Sequence, residues 1–101
     1  MSLNYIVISG RLPKDSEVRY TVAGKPVLEF SIEVQDEIDP ENKQMIRVIS
    51  RREPVVDLQT QLKRGTRVAV EGQLVQRKIE TDSGHRRKLP EIHLDHLTVL
   101  A

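Results

Sequence analysis

Leu28-Glu29-Phe30-Ser31-Ile32-Glu33-Val34-Gln35 alternates apolar and polar residues without a break. Successive side chains of a strand point to opposite faces, so this stretch has one dry face and one wet face. An antiparallel sheet that packs on a core from one side needs that pattern. Phe30 falls on the dry face and is expected in the core.

The same period of two recurs on both sides of this stretch. Upstream, Asn4 to Leu12 opens with Ile6-Val7-Ile8 and is interrupted by Gly10, which in a strand marks a bend or a close backbone approach. Pro13-Lys14-Asp15-Ser16 reads as a turn, Glu17 to Thr21 as a short extended piece, and Ala23-Gly24-Lys25-Pro26 as a second turn. Downstream, Asp36 to Lys43 is a polar loop. Met45 to Ser50 is a strand with Ile46 and Val48 on one side and Met45, Arg47 and Ile49 on the other.

A helix is expected next. Pro54 suits its first turn, Val55, Leu58 and Leu62 fall at helical spacing, and Gly65 is the stop. Thr66 to Ile79 is a long strand, Thr81-Asp82-Ser83-Gly84 a turn, and Arg87 to Leu97 the last strand. The apolar phase changes between Leu94 and Leu97, which predicts a bulge or the strand's end there. Periodicity by itself gives a small all-β domain with one helix. Three strands, a short helix and two strands is the element order of a five-stranded OB-fold barrel, with the helix between strands 3 and 4. A closed barrel leaves no exposed sheet edge.

The chain has 101 residues, so one domain over residues 1–101 with a modest core is expected. Sixteen Lys and Arg against fifteen Asp and Glu leave a net charge of +1, so any cationic surface must be local. There is no cysteine, which excludes disulfides, thiolate metal sites and thiol catalysis. The first residues carry no secretory pattern, and no apolar run approaches the ~20 residues of a membrane span. The expected location is the cytoplasm or a plastid stroma.

Five pieces, in order and with compatible spacing, resemble the bacterial single-stranded-DNA-binding protein family. Asn4-Tyr5-Ile6-Val7-Ile8-Ser9-Gly10-Arg11-Leu12 is similar to the family's opening strand. Glu17-Val18-Arg19-Tyr20-Thr21 is similar to its Pro-Glu-Val-Arg-Tyr-Thr element, with Ser16 in place of the proline. Ile46-Arg47-Val48-Ile49 matches its third strand in part. Leu62-Lys63-Arg64-Gly65-Thr66-Arg67-Val68-Ala69-Val70-Glu71-Gly72-Gln73-Leu74 matches its core element closely. Arg77-Lys78 and Asp82-Ser83-Gly84 resemble its last hairpin. The resemblance implies an OB fold, association through the sheets into a homodimer or homotetramer, and sequence-tolerant binding of single strands. A short, tailless version of cyanobacterial or plastid type is the subgroup it suggests.

The chain departs from the family in two respects. Family members combine a basic groove with aromatic platforms, and stacking contributes roughly 1–3 kcal/mol per base. Here the aromatic residues are Tyr5, Tyr20 and Phe30, and the positions where the family carries platforms hold Met45, Arg51 and Ile79. Family members also often carry a glycine- and proline-rich tail with an acidic tip that recruits other proteins. This sequence ends at Leu97-Thr98-Val99-Leu100-Ala101, so that recruiting role is expected to be absent from the polypeptide.

Charge is what remains for binding. Arg77, Lys78, Arg86, Arg87 and Lys88 flank one hairpin, with His85 beside them and Glu80 and Asp82 opposing. Arg47 and Arg51 share one side of the third strand if it stays extended, Arg52 follows, and Arg19 and Arg64 sit at matching family positions. Phosphate contacts by Lys and Arg release counterions and need no base specificity. The expected nucleic-acid contacts are therefore Arg19, Arg47, Arg51, Arg64, Arg77, Lys78, Arg86, Arg87 and Lys88. The competing reading of each is a solvated strand-edge residue that discourages aggregation.

No catalytic constellation is visible: there is no phosphate-cradling glycine motif and no nucleophile elbow. The protein is expected not to be an enzyme and to need no cofactor. His93 and His96, three apart on a strand, are expected on opposite faces and carry no metal site. The acidic loop Asp36, Glu37, Asp39 and Glu41 lacks the ligand spacing of a calcium loop.

Two functions follow. One is single-stranded DNA binding in replication, repair or recombination, carried mainly by charge, with replication proteins as further partners. The other is a protein-interaction subunit of a replication-restart assembly that keeps the fold as a scaffold. The side of the barrel carrying Met45, Arg47, Ile49 and Ile79 discriminates them: an open basic groove favours DNA, and a subunit interface favours the scaffold.

Overall fold

Arg11 at the end of one strand meets Glu33 near the end of another, and that pairing closes the sheet into a ring. The computed structural model describes residues 2–51 and 55–101. Its elements are β1 (Ile6–Arg11), β2 (Glu17–Tyr20), β3 (Pro26–Gln35), β4 (Lys43–Ser50), α1 (Val55–Gln61), β5 (Arg67–Glu80) and β6 (Arg86–Val99). The strands run β1-β5-β6-β4-β3, and β3 returns to β1. Neighbours are antiparallel except β4 and β6, which are parallel. The ring has the five strands expected, with α1 between its third and fourth in chain order. The short extended piece is a sixth strand, β2, which pairs with the first half of β3 outside the ring.

The dry face of β3 faces inward as its alternation requires. Leu28, Phe30 and Ile32 are buried and Val34 packs against them. Val48, Val68, Val70, Ile92 and Leu94 supply the rest of the ring's lining, and Leu12 and Leu62, which lie outside the strands, complete the buried cluster. Burying each of these large side chains contributes about 1.5–3 kcal/mol. Phe30 is core, as expected. Leu62 follows α1 directly, and Gly65 takes a φ of 89° that ends the helical segment. Its N–H donates to the Leu12 carbonyl at 2.8 Å, which ties this turn to the end of β1. Pro54 as the helix start, and Arg52, lie outside the described residues.

Two hairpin turns share one design. In Thr21-Val22-Ala23-Gly24-Lys25 and Thr81-Asp82-Ser83-Gly84-His85, the Thr N–H donates to the carbonyl four residues on and the Gly N–H donates back to the Thr carbonyl. Both glycines have a φ of 80°, a left-handed conformation that disfavours other residues. The second turn joins β5 and β6 into a long hairpin whose outer part, beyond Val75 and Glu91, extends past the barrel wall formed with β4.

The phase change in the last strand is a bulge. Glu71 pairs with His96 and Gly72 with Leu94, so Asp95 is the extra residue. Leu94 is buried and Leu97 packs on the core, although they are three apart. The bulge corrects one expectation: it returns His96 to the outer face that His93 occupies, so the two histidines do not point apart. Among the described residues no group of three or more His, Cys, Asp or Glu could hold a metal ion. No described helix is long and apolar enough to cross a membrane.

The acidic loop is organised by its first residue. The Asp36 carboxylate accepts from the Ile38 N–H at 2.9 Å, from the Asp39 N–H at 3.3 Å and from the Asn42 amide at 3.2 Å. These donors hold its pKa below the ordinary value, the Ile38 bond most of all.

Candidate nucleic-acid interface

Strand register decides which basic residues can act together. Directly opposed residues share a face. Ile92 and Val48 lie opposite one another in the core, with Leu74 opposite Ile92 on the same side, so their neighbours Val75, Glu91 and Arg47 form an outward row. Gln73, His93 and Ile49 form the next row, which continues to Glu29 on β3 and Glu17 on β2. The outer surface of β2, β3, β4, β6 and β5 is thus one curved sheet face.

A shallow cavity of about 370 Å³ lies on this face. Arg19 and Tyr20 from β2, Glu29 from β3, Arg51 after β4, Arg77 from β5 and His93 from β6 border it, with Ile49 and Glu91 in its floor. Arg47 of β4 is tied to this group through Glu29. Its Nη2 donates to Glu29 Oε1 at 2.8 Å, while Arg19 Nε contacts Glu29 Oε2 at 3.3 Å. Arg19 also lies 3.7 Å from Glu17. No carboxylate among the described residues pairs with Arg51 or Arg77. Glu91 is 6% exposed, and the ring of His93 stands 3.0 Å from it at Nε2. Neither Glu29 nor Glu91 stands out in the sequence.

The structure sorts the expected contacts into three groups. Arg19, Arg47, Arg51 and Arg77 converge on the curved face. On the hairpin, Arg77 and Arg87 alternate with Lys78, Arg86 and Lys88: the first two share the face of Ile79 and Leu89, and the other three project from the reverse side. Arg64 stands apart. It lies in the turn before β5, where its N–H donates to Asp15 at 2.7 Å, thirteen residues before Arg77 and separated from it by most of β5.

The changed platform positions lie on the curved face too. Met45 is exposed there, Arg51 borders the cavity, and Ile79 is half-buried on the hairpin. Tyr20 lies near this face too. The residue is 69% exposed and stands at the edge of the cavity, but it alternates with Arg19 along β2, so its side chain leaves on the side of Val18 and Leu28 rather than among the arginines.

A second and larger concavity, about 940 Å³, lies against β1 and the loop after β3. Arg11, Lys43 and Arg67 line it together with Glu33, Asp36 and Glu37, so its charge is mixed. Beside it, the second edge of β1 pairs with β3 only at Arg11, and Val7 is exposed.

Comparison with known proteins agrees with this geometry. The model of the single-strand binding protein family matches residues 3–100. A single-stranded DNA-binding protein of Thermotoga maritima is 34% identical over 96 residues, covering 88% of this chain and 67% of the relative. One from Streptococcus mutans is 26% identical over 102 residues, covering 97% of this chain and 62% of the relative. The chain therefore spans about two thirds of the length of these relatives. A solved Plasmodium falciparum SSB complex with ssDNA superposes with a TM-score of 0.82 at 27% identity, covering all of this chain and 97% of that one. A closed five-stranded ring, an arginine-lined outer face and a family match over nearly the whole sequence point the same way: this chain belongs to the single-strand binding protein family.

Proposed function

We propose that this protein binds single-stranded DNA without sequence preference, through the outer face of β2, β3, β4, β6 and β5, and performs no chemistry on it. The observation that carries the proposal is one open cavity bordered by Arg19, Arg51 and Arg77, from three places in the sheet, with Arg47 joined to it through the Glu29 carboxylate that it shares with Arg19. Arginine pairs with phosphate through a planar fork of donors, and exposed apolar side chains such as Met45 tolerate any base. The names of the relatives and the single-stranded DNA in the matching complex support the same ligand.

Arg87 extends the path along the hairpin. Lys78, Arg86 and Lys88 serve strands that pass behind it, and Arg64 serves a solvated turn. The whole chain acts as one OB-fold unit. The exposed edge of β1 is the surface through which two copies associate, as the first step to a dimer or tetramer. A compartment that holds single-stranded DNA, bacterial cytoplasm or plastid stroma, suits this role, with replication proteins as neighbours on the same strand.

Competition tests the ligand. Unlabelled single-stranded DNA of mixed sequence should displace a labelled oligo-dT, and duplex of the same length should displace it far less. Equal displacement by duplex contradicts the proposal.

A further inference from the structure

Glu29 stands in the middle of the arginines that the proposed function assigns to phosphate. It lies on β3 between the strands that carry them, directly opposite Ile49 on one side and Glu17 on the other. Each oxygen of its carboxylate is taken by a different arginine: Oε1 by Arg47 of β4 at 2.8 Å, Oε2 by Arg19 of β2 at 3.3 Å. Its side chain is 18% exposed, against 66% for Arg19 and 40% for Arg47. The acid is the fixed member of the group and the guanidinium groups are its outer shell.

A carboxylate and a phosphate present the same bidentate acceptor to arginine. A strand that lays a phosphate on Arg19 or Arg47 therefore competes with an anion already in place. It also approaches a negative charge that stays behind, because a largely buried carboxylate cannot swing out into solvent. The Arg47 Nε is buried and has no hydrogen-bond partner in the structure, so its outer Nη groups are what a phosphate can reach, and Glu29 already engages one of them. One acid thus holds two arginines below their full capacity for phosphate.

We propose that Glu29 is a built-in counterion of the DNA-binding face, which neutralises Arg19 and Arg47 in the free protein and sets a ceiling on its affinity for single strands. This rests on the DNA-binding reading above. In place of a maximal grip, the face has a tuned one: a strand gains full phosphate pairing from Arg51 and Arg77 and a reduced share from the two arginines that Glu29 occupies. Release and sliding of the strand are correspondingly easier, and fewer salt ions are displaced on binding.

Glu29→Gln keeps the shape and one acceptor oxygen and removes the charge. Titration of labelled oligo-dT across a salt series should show the variant binding at least about fivefold tighter at low salt, the effect of removing one like charge near a phosphate in water. The slope of log K against log salt should steepen by about 0.7 for each arginine freed. Glu17→Gln removes an equal charge one register position away, from an exposed residue 3.7 Å from Arg19, and should raise affinity less. Equal gains in the two variants mean that net charge alone matters and overturn the proposal. So does an unchanged or weaker affinity in a cooperatively folding Glu29→Gln protein. Glu29→Thr, neutral and favoured in strands, carries the same expectation should the Gln variant not fold. Failure of the wild type to bind oligo-dT at low salt removes the DNA-binding reading itself, whereas wild-type binding without a gain in the variants removes only the role of Glu29.

Discussion

Lys78 and Lys88 oppose each other across the β5–β6 hairpin, on the side turned away from Arg77. Like charges at directly opposed positions cost a few tenths to about 1 kcal/mol. The neighbouring residue Arg77 borders the cavity instead. Consecutive basic residues of one strand therefore face opposite sides of the hairpin. Arg77→Gln should weaken binding of a short oligo-dT and lower the salt slope by about 0.7. Lys78→Gln should change neither by more than a fraction of that, and Lys78→Glu should raise the thermal midpoint of the free protein. Equal losses for Arg77→Gln and Lys78→Gln would place the strand behind the hairpin.

Tyr20 is the aromatic residue at the edge of the cavity, and it is largely exposed. Base stacking on such a ring contributes roughly 1–3 kcal/mol. Tyr20→Ala should lower affinity for oligo-dT by about that amount, and Tyr20→Phe should retain most of it. With no tryptophan in the chain, intrinsic emission comes from Tyr5 and Tyr20, and bound DNA should quench it in the wild type far more than in Tyr20→Phe.

Gly72 sits where the bulge opens. A Cβ there would run into the His93 carbonyl oxygen on the neighbouring strand. The β5–β6 register cannot shift to make room, because Leu94 and Leu97 on either side of the bulge are both committed to the core. Gly72→Ala should therefore destabilise the fold by about 1–3 kcal/mol or more in urea unfolding. Gly10→Ala is a parallel case, since its Cβ would lie 2.6 Å from the Glu33 carbonyl oxygen beside the ring-closing pair. Variants with wild-type midpoints would refute these close approaches.

Asp36 gives the fold a pH dependence with a definite sign. Its folded pKa is lowered from the ordinary 3.8 by the N–H groups of Ile38 and Asp39 and the amide of Asn42. The unfolded chain then binds more protons in the window between the two values, so stability rises with pH through it. The contribution is complete above the unfolded value and disappears as pH falls through the folded one. Asp36→Ala should lower the unfolding midpoint at neutral pH, and the difference from wild type should vanish at pH below that window. A difference that persists there would mean the loop is held by something other than the ionised carboxylate.

Much of the fold was legible because it depends on local alternation. The dry face of Leu28, Phe30 and Ile32, the left-handed glycines of the turns and the break of phase after Leu94 each reflect one strand's own chemistry. What was not legible depends on register between strands. The bulge was expected, yet its effect in putting His93 and His96 on one face follows only from which residue is extra. Glu29 reads as one of several wet-face acids until β3–β4 and β2–β3 pairing sets it between Arg47 and Arg19. Arg64 looked equivalent to Arg19 because both match family positions, but strand length separates them. The hairpin's basic cluster reads as one patch along the chain and divides in two when its residues alternate across the strands.

Titration of wild-type protein with labelled oligo-dT from low to high salt tests the central claim most directly. Binding through Arg19, Arg47, Arg51 and Arg77, with two of them shared with Glu29, predicts measurable affinity at low salt. Log K should then fall with log salt at a slope of about −1.5 to −3, at roughly 0.7 per phosphate neutralised. No binding at low salt, or a slope near zero, would contradict it.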